Sequence, residues 1–266
     1  PRRNPKIPRP ADIFQPERRN SAGVALWETG ARETLLSEIK EALSQPVTAG
    51  PIVEGATRLV GEALAVLSPH DRRIVVGHVH EAGPADVDQA IGSANEAQPA
   101  WDRRGSRGRG EILLRAADLL EHNRTGLMAL IVREAGKTLE AALGDVREAA
   151  DYLRYYAVEA QRMFAEPRAL NGPTGERNLL SLHGRGVFGC VSPWNFPLAI
   201  FVGQISAALA AGNAVVAKPA EQTPLTAFKA VQLLHEAGVP HNVLHLLTGD
   251  GRIGARIVAD PRLGGI

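Results

Sequence analysis

Apolar residues recur with helical spacing between residues 86 and 164 of the chain. The pattern predicts a first helix that begins at Asp86, with Gln89 three positions on in a capping-box-like arrangement. A second helix is predicted over residues 111–134, with a break at Gly126, and a third over residues 139–164. The positions predicted to face the core are Val87, Ile91, Ala94 and Ala97 in the first helix and Val146, Ala150, Leu153, Ala157 and Ala160 in the third.

From residue 187 onward, short apolar segments alternate with longer helical ones. The predicted strands are residues 187–192, 214–218 and 243–247, and the predicted helices are residues 199–211, 225–237 and 253–259. This alternation is typical of an α/β fold with a Rossmann-like, doubly wound parallel sheet, here preceded by a helical region. Ligands of such sheets bind beyond the carboxyl ends of the strands, so we expect the chemistry after Ser192, Lys218 and Leu247.

The segment 198–217 is apolar over nearly twenty residues, which is about the length of a membrane-spanning helix. It contains Gln204 and Ser206, however, and a Gly212-Asn213 pair is typical of a turn between a helix and a strand. We therefore predict a buried helix followed by a buried strand, and no integral membrane segment.

The region before these helices is less regular. Residues 1–50 are rich in Pro and Arg at their start and are predicted to form an arm or linker. The apolar residues with helical spacing in this arm are Leu35, Leu36, Ile39 and Leu43. A pair of strands, residues 63–67 and 74–79, is predicted next, with turn-forming residues at 68–71 between them.

Composition narrows the range of functions. The chain has 266 residues, 44% of them hydrophobic, and a formal net charge of +1, so no strong field recruits nucleic acid or an anionic membrane. A single cysteine excludes an internal disulfide framework and fits a reducing compartment. The basic residues at the start are not followed by an apolar segment, so no signal peptide is predicted and we expect a cytoplasmic protein.

An arginine-rich run covers residues 103–110. It could form a nucleic-acid-binding patch, which would show as DNA affinity that falls steeply with salt. The run has no interleaved aromatic residues and lies between two predicted amphipathic helices. We therefore predict a solvated loop between helices and no nucleic-acid partner through this segment.

Two of the three strand ends carry candidate cofactor motifs. After the last strand, residues 249–254 read GxGxxG, in which glycines and a helix N-terminus suit a phosphate, although a tight strand-to-helix turn explains them equally well. After the middle strand, residues 218–221 read Lys-Pro-Ala-Glu. The carboxylate of Glu221 can accept hydrogen bonds from the hydroxyls of a ribose, and Lys218 can donate to them. The alternative is that the two side chains form a surface ion pair.

The remaining strand end carries a candidate catalytic group. Pro193 and Pro197 fix the backbone on either side of Asn195. A rigidly placed amide is a good neutral donor to a developing oxyanion. The alternative is that Asn195 only forms an Asx turn that leads into the helix. These three motifs all lie on one side of one sheet. We therefore favour a functional site over a purely structural explanation of each motif.

These motifs, in this order and spacing, resemble the aldehyde dehydrogenase superfamily. The segments that carry the resemblance are residues 190–197, 211–213 and 218–221, together with residues 134–137 in the helical region. Within the superfamily, the chain is most similar to the L-glutamate γ-semialdehyde (1-pyrroline-5-carboxylate) dehydrogenase domain of bifunctional proline utilisation A proteins. That closer resemblance rests on residues 16–23, 152–157 and 247–251 and covers nearly the whole chain.

The resemblance implies a role for each motif. Asn195 is implied to be the side-chain donor of the oxyanion hole, and Lys218 and Glu221 are implied to hold the adenosine ribose of NAD. The other residues implied to line the cofactor groove are Ser192, Pro193, Trp194, Gly251 and Gly254, and Phe196 is implied to border the aldehyde tunnel. FAD is implied only where a proline dehydrogenase domain lies upstream, and no metal site is implied.

The resemblance also implies the domain organisation. Residues 51–266 correspond to an incomplete NAD-binding domain, and residues 171–186 to an excursion that pairs between subunits of a homo-oligomer. The family's nucleophilic cysteine, its glutamate base and a Phe-Thr-Gly-Ser turn are not in the chain. Cys190 lies in a predicted apolar strand with no cationic neighbour, so we expect a buried structural thiol and an inactive isolated chain.

Three questions stay open at the level of sequence. The aldehyde is not fixed, so another NAD(P)-dependent aldehyde dehydrogenase is an alternative. A non-catalytic NAD-binding or dimerisation module is a second alternative. Glu221 favours the free ribose hydroxyl of NAD, whereas Lys218 would tolerate the phosphate of NADP.

Overall fold

The computed structural model of the protein describes residue 4 and residues 6–42 and 46–266. The helices are α1 Thr29–Ala42, α2 Pro84–Arg103, α3 Gly105–His122, α4 Arg124–Glu134, α5 Leu139–Phe164, α6 Ala199–Ala210, α7 Pro224–Glu236 and α8 Gly251–Val258, with a 3₁₀ turn at Pro10–Asp12. The strands are β1 Val47–Ala49, β2 Ile52–Val53, β3 Ala56–Thr57, β4 Leu64–Ser68, β5 Asp71–Val79, β6 Arg168–Leu170, β7 Asn178–Leu180, β8 Val187–Val191, β9 Ala214–Lys218, β10 Leu244–Leu246 and β11 Leu263–Gly265.

The main sheet has the strand order β11-β8-β9-β10-β2-β3. Its first four strands are parallel, with Cys190 opposite Ala217 and His245 opposite Val216. All five residues of β9 are buried, as expected for a central parallel strand covered on both faces. The α/β fold and its parallel sheet are therefore confirmed. β11 and the antiparallel strands β2 and β3 were not predicted from the sequence.

A second sheet and a layer of helices complete the core. The second sheet has the order β1-β5-β4, and its antiparallel pair β4–β5 confirms the predicted strand pair, although β5 begins three residues earlier, at Asp71. β1 lies within the segment assigned to the arm and pairs parallel with β5. Helix α5 has the predicted bounds, packs against α3 and α6, and buries all five positions predicted to face the core.

The start of the first predicted helix and the break in the second differ from prediction. Helix α2 begins at Pro84, not Asp86, because proline suits the first turn, and the Asp86 carboxylate accepts from the Gly83 N–H at 2.7 Å. The four predicted core positions of α2 are nevertheless buried. The second predicted helix is divided at Asn123 rather than at Gly126, which lies inside α4. Asn123 can end α3 because its Nδ2 donates to the Leu119 carbonyl at 2.9 Å.

The prediction of a solvated loop at 103–110 was wrong. Residues from Gly105 onward belong to α3, and the Arg109 side chain is buried. Its Nε donates to the Ala210 carbonyl at 3.0 Å and one terminal nitrogen donates to the Asp102 carbonyl at 2.7 Å. A guanidinium with several donors can satisfy the carbonyl groups at two helix ends, and this is why an arginine is buried here.

The apolar segment 198–217 is helix α6 followed by strand β9, which confirms the prediction of a buried helix and strand. In the part of the chain that the structure describes, no helix is long and apolar enough to cross a membrane. Residues 168–180 form a separate antiparallel hairpin, β6–β7, in which Leu170, Leu179 and Leu180 are exposed.

The N-terminal segment packs on the helical layer. The Ser21 N–H and hydroxyl both donate to the Asp151 carboxylate of α5, at 2.8 and 2.7 Å. Leu35 and Ile39 are buried on one face of α1, as the helical spacing predicted, whereas the predicted position Leu43 lies outside the described residues.

Candidate active site

The carboxyl ends of β8, β9 and β10 lie side by side, as the parallel order requires. The Ser192 N–H donates to the Lys218 carbonyl at 3.1 Å, and the Leu247 N–H donates to the Ala217 carbonyl at 2.8 Å. The structure therefore brings the three sequence motifs to one edge of the sheet. This edge is the binding position expected for an open α/β sheet.

Lys218 ends β9 with its side chain buried. Nζ donates to the Pro219 carbonyl at 2.8 Å. Burial lowers the pKa of the Lys218 ammonium, and the neighbouring carboxylates of Glu221, Asp250 and Glu81 act in the opposite direction. Because it is buried, Lys218 is not one half of a surface ion pair.

Glu221 follows three residues later and is exposed. It lines a cleft of about 540 Å³ together with strand β4, the turn after it, Arg72 and the acidic residues Glu81, Glu134 and Asp250. Gln222 Nε2 donates to Glu221 Oε1 at 3.2 Å, which leaves the second carboxylate oxygen open to the cleft. The cleft has the size of a ligand-binding site, and acidic side chains outnumber the single basic one, Arg72, in its lining.

The glycine-rich turn before α8 is shaped by Asp250. The Asp250 carboxylate accepts from the Arg252 N–H at 2.8 Å and forms an ion pair with the Arg252 side chain, so the N-terminus of α8 already has a negative partner. Gly254 packs against the lysine at the end of β9, because an added Cβ would lie 3.4 Å from Lys218 Cδ. An added Cβ at Gly251 would meet no atom within 4 Å, so this position is open to a ligand.

The segment after β8 has an unpaired polar atom and an exposed ring. The buried Ser192 Oγ has no hydrogen-bond partner among the described residues, which is unusual for a buried hydroxyl. Trp194 is 54% exposed although it lies only two residues after the buried Ser192. An orphaned hydroxyl, an exposed indole and the Lys218–Glu221 pair together fit a nucleotide with polar and planar parts.

Asn195 is also exposed, and its side-chain amide makes no hydrogen bond within residues 6–42 and 46–266. Its backbone, in contrast, is held. Lys137 Nζ donates to the Asn195 carbonyl at 3.1 Å, and the flanking prolines restrict the backbone further. The result is a held main chain at Asn195 with a side-chain amide that is available as a hydrogen-bond donor.

Sequence reasoning missed the groups that hold this segment. Lys137 Nζ lies 2.8 Å from Asp145 Oδ2 and 4.1 Å from the centre of the Phe196 ring. The other Asp145 oxygen accepts from the Ala199 N–H, the first residue of α6, at 2.7 Å. One signal was available, because Lys137 belongs to the family-like segment 134–137, but Asp145 lies in the middle of an amphipathic helix where an acidic residue is ordinary.

Comparison with known proteins decides the family. A sequence profile described as the aldehyde dehydrogenase family matches residues 57–266. The chain belongs to the aldehyde dehydrogenase family. Its curated relatives include the bifunctional protein PutA of Escherichia coli strain K12, which is 43% identical over 265 residues. That alignment covers 99% of this chain and 19% of PutA, so the chain spans about a fifth of the length of this relative.

Other curated relatives and solved structures are also similar to the chain. The 1-pyrroline-5-carboxylate dehydrogenase of Geobacillus kaustophilus is 35% identical over 87% of this chain and 45% of its own length. The structure of the 1-pyrroline-5-carboxylate dehydrogenase from Thermus with bound NAD superposes with a TM-score of 0.87 at 32% identity, covering 92% of this chain and 48% of that chain. PutA from Bdellovibrio bacteriovorus superposes with a TM-score of 0.89 at 32% identity, over 96% of this chain and 26% of that chain.

Cys190 does not provide an aldehyde dehydrogenase nucleophile. It is a buried free thiol in β8, and burial raises its pKa to about 12. The thiolate is the reactive form of cysteine, and it is scarce near neutral pH when the pKa is this high. The expected structural role of Cys190 is therefore supported by its surroundings.

Proposed function

We propose that this chain is the NAD-binding part of an aldehyde dehydrogenase that oxidises L-glutamate γ-semialdehyde, formed from 1-pyrroline-5-carboxylate, to L-glutamate in proline catabolism. The observation that carries the proposal is the free side-chain amide of Asn195, whose main-chain carbonyl Lys137 holds, at the same edge of the sheet as Lys218 and Glu221. Similarity to PutA and to 1-pyrroline-5-carboxylate dehydrogenases over most of the chain supports the choice of aldehyde. In this proposal, residues outside these 266 would supply the nucleophilic cysteine and the glutamate base.

NAD is the proposed cofactor, and when bound it accepts a hydride from the substrate. Glu221 would accept hydrogen bonds from the adenosine ribose, and Lys218 would donate to the same sugar. Ser192 Oγ is a buried hydroxyl in need of a partner, and Trp194 offers a planar wall. The carboxylates of Glu81, Glu221 and Asp250 near Lys218 favour NAD over the additional phosphate of NADP.

In the proposed reaction, the residues of this chain act by positioning and by charge. The Asn195 amide donates to the oxygen of the aldehyde as negative charge develops on it. Because the backbone of Asn195 is already held, only its side chain has to adjust when the charge forms, and the hydrogen bond from the amide stabilises that charge. Attack on the carbonyl and activation of water are left to the groups outside the chain.

We also propose that the full-length protein is a cytoplasmic homo-oligomer. The β6–β7 hairpin supports this part of the proposal, because it extends as a two-stranded unit with exposed leucines. A two-stranded hairpin is only marginally stable alone, and pairing with another subunit would stabilise it.

The test is an assay of the full-length protein with NAD and 1-pyrroline-5-carboxylate, in parallel with an uncharged aldehyde of similar length. We expect NADH and glutamate to form in equal amounts, with kcat/KM highest for the semialdehyde. Oxidation of the uncharged aldehyde with higher kcat/KM would assign a different aldehyde dehydrogenase. NAD binding without turnover of either aldehyde would favour a non-catalytic NAD-binding module.

A further inference from the structure

Two charged side chains hold the loop that carries Asn195, and neither faces the acidic cleft. Lys137 lies just after α4, and its ammonium group bonds both the Asn195 carbonyl and the Asp145 carboxylate. Asp145 is fully buried in α5, and it bonds the Ala199 N–H at the start of α6. The loop between β8 and α6 is therefore held at its middle and at its end by one ion pair.

We propose that Lys137 and Asp145 are positioning residues for the oxyanion donor, and that they set the direction of the Asn195 amide through its main chain. This inference rests on the proposed function and deepens it. The two residues do not touch the substrate and act only through the loop that they hold.

The geometry supports positioning over simple packing. Helix α6 has no capping side chain from the residue before it, so the Asp145 carboxylate supplies the missing acceptor from 54 positions earlier in the chain. Lys137 then satisfies the second oxygen of that carboxylate and connects it to the Asn195 carbonyl. Phe196 lies against the ammonium group, so the residues on both sides of the Asn195–Phe196 peptide bond are tied to one cation.

The ion pair between Lys137 and Asp145 is also largely buried, which restricts the geometry of the loop that it holds. The Asp145 side chain has no exposed surface, and the Lys137 side chain keeps 14% of its surface exposed. Removing Lys137 leaves a buried carboxylate without its charged partner, which destabilises the arrangement that holds the loop. A misplacement of the donor by about 1 Å can reduce turnover by about 10²-fold.

The experiment is a double-mutant cycle in the full-length enzyme with Lys137→Met, Asn195→Ala and the combination. We expect Asn195→Ala to lower kcat by about 10²- to 10³-fold, and Lys137→Met to lower it by about tenfold or more with NAD affinity within twofold. In the Asn195→Ala background, Lys137→Met should then change kcat by less than twofold, because the group it positions is absent. Lys40→Met, an exposed lysine on α1, is the matched control.

Two further variants and a measurement of amide hydrogen exchange separate a positioning role from a loss of folding. Lys137→Arg keeps the cation and should restore most of kcat, and Asp145→Asn keeps an acceptor for the Ala199 N–H while removing the charge. Amide hydrogen exchange of residues 193–199 should accelerate in Lys137→Met and much less in Lys137→Arg, while the rest of the chain stays protected.

The outcomes discriminate between this inference and the proposed function. Additive effects of Lys137→Met and Asn195→Ala would overturn positioning and leave the oxyanion role intact. Unchanged exchange in residues 193–199 would also overturn it. If Asn195→Ala itself leaves kcat unchanged, the proposed function fails at its central residue, whatever Lys137 does.

Discussion

Thr226 donates both its N–H and its hydroxyl to one carboxylate oxygen of Glu134, at 2.9 and 2.6 Å. The second oxygen accepts from the Leu225 N–H at 2.6 Å. A fully buried side chain at the end of α4 thus caps the first turn of α7, across 92 positions of sequence from Glu134 to Thr226. Burial raises the pKa of Glu134 to about 7 although all three hydrogen bonds act to lower it.

The first prediction concerns stability as a function of pH. Because the pKa of Glu134 is raised from 4.5 to about 7 on folding, the folded state binds the proton more tightly, so this residue favours folding at low pH and loses that effect as the pH rises through 7. The expected change in the free energy of unfolding between pH 4.5 and 8 is roughly 3 kcal/mol at most. Urea unfolding of the wild type and of Glu134→Gln measures it: the free energy of unfolding of the wild type minus that of Glu134→Gln should become more positive as the pH falls. A constant difference would contradict the prediction.

His245 should produce the opposite dependence. Its Nδ1 accepts from the Glu54 N–H, and its Nε2 donates to the Asn242 carbonyl, so the neutral ring is the form that fits. Burial lowers the pKa of His245 to about 4. The unfolded state therefore binds more protons than the folded state between pH 4 and 6.5, and stability falls as the pH drops through this range, by roughly 3 kcal/mol at most.

His245→Gln removes the titrating group and keeps one donor and one acceptor. Urea unfolding at pH 4.5 and 7 should then show a smaller loss of stability on acidification than in the wild type. An equal loss in the two proteins would mean that His245 does not titrate in this range.

The third prediction separates catalysis from binding at the end of β8. Replacing Asn195 by alanine should reduce kcat by about 10²- to 10³-fold in the full-length enzyme, because one oxyanion donor is lost. NAD affinity, measured by calorimetry, should stay nearly the same, because the exposed amide has no role in holding the ribose. Equal losses of turnover and NAD affinity would refute this assignment.

The fourth prediction concerns the adenosine ribose. Glu221→Gln should weaken NAD binding by about tenfold, since hydrogen bonds to a charged acceptor are stronger than those to a neutral one. It should also raise the affinity for NADP relative to NAD, because one negative charge is removed from the cleft. Glu236→Gln, at the opposite end of α7 and exposed, is the control. Unchanged NAD affinity in Glu221→Gln would exclude a ribose contact.

The fifth prediction uses two arginines from the same run. Arg109 is buried and bonds the Ala210 and Asp102 carbonyls, so Arg109→Met should lower the free energy of unfolding by about 3 kcal/mol. Arg107 has an exposed side chain, and Arg107→Met should change stability by less than about 0.5 kcal/mol. Chemical denaturation of the two variants measures the contrast, and equal stability of both would contradict the buried geometry.

Several helices and strands could be predicted with correct type and order. Helix α5 and strand β9 have the bounds that their apolar patterns predict, because a long periodic segment or a fully apolar one leaves few alternatives. Strands β2, β3 and β11 were missed, since segments of two or three residues carry no periodicity and are defined by their neighbours in the sheet. The burial of Arg109 was missed for a related reason, because a charge pattern does not show which carbonyls a guanidinium will meet.

The sequence by itself determined which residues follow the three parallel strands, and therefore placed Asn195, Lys218 and Glu221 on one edge, because parallel strands share one direction and side chains at their ends must meet. Only the tertiary structure decided what holds those residues. Lys137 reaches Asn195 across 58 positions, and Glu134 reaches Leu225 across 91. Such partners are selected by the packing of helices against the sheet, and no local pattern in the chain encodes contacts at that separation.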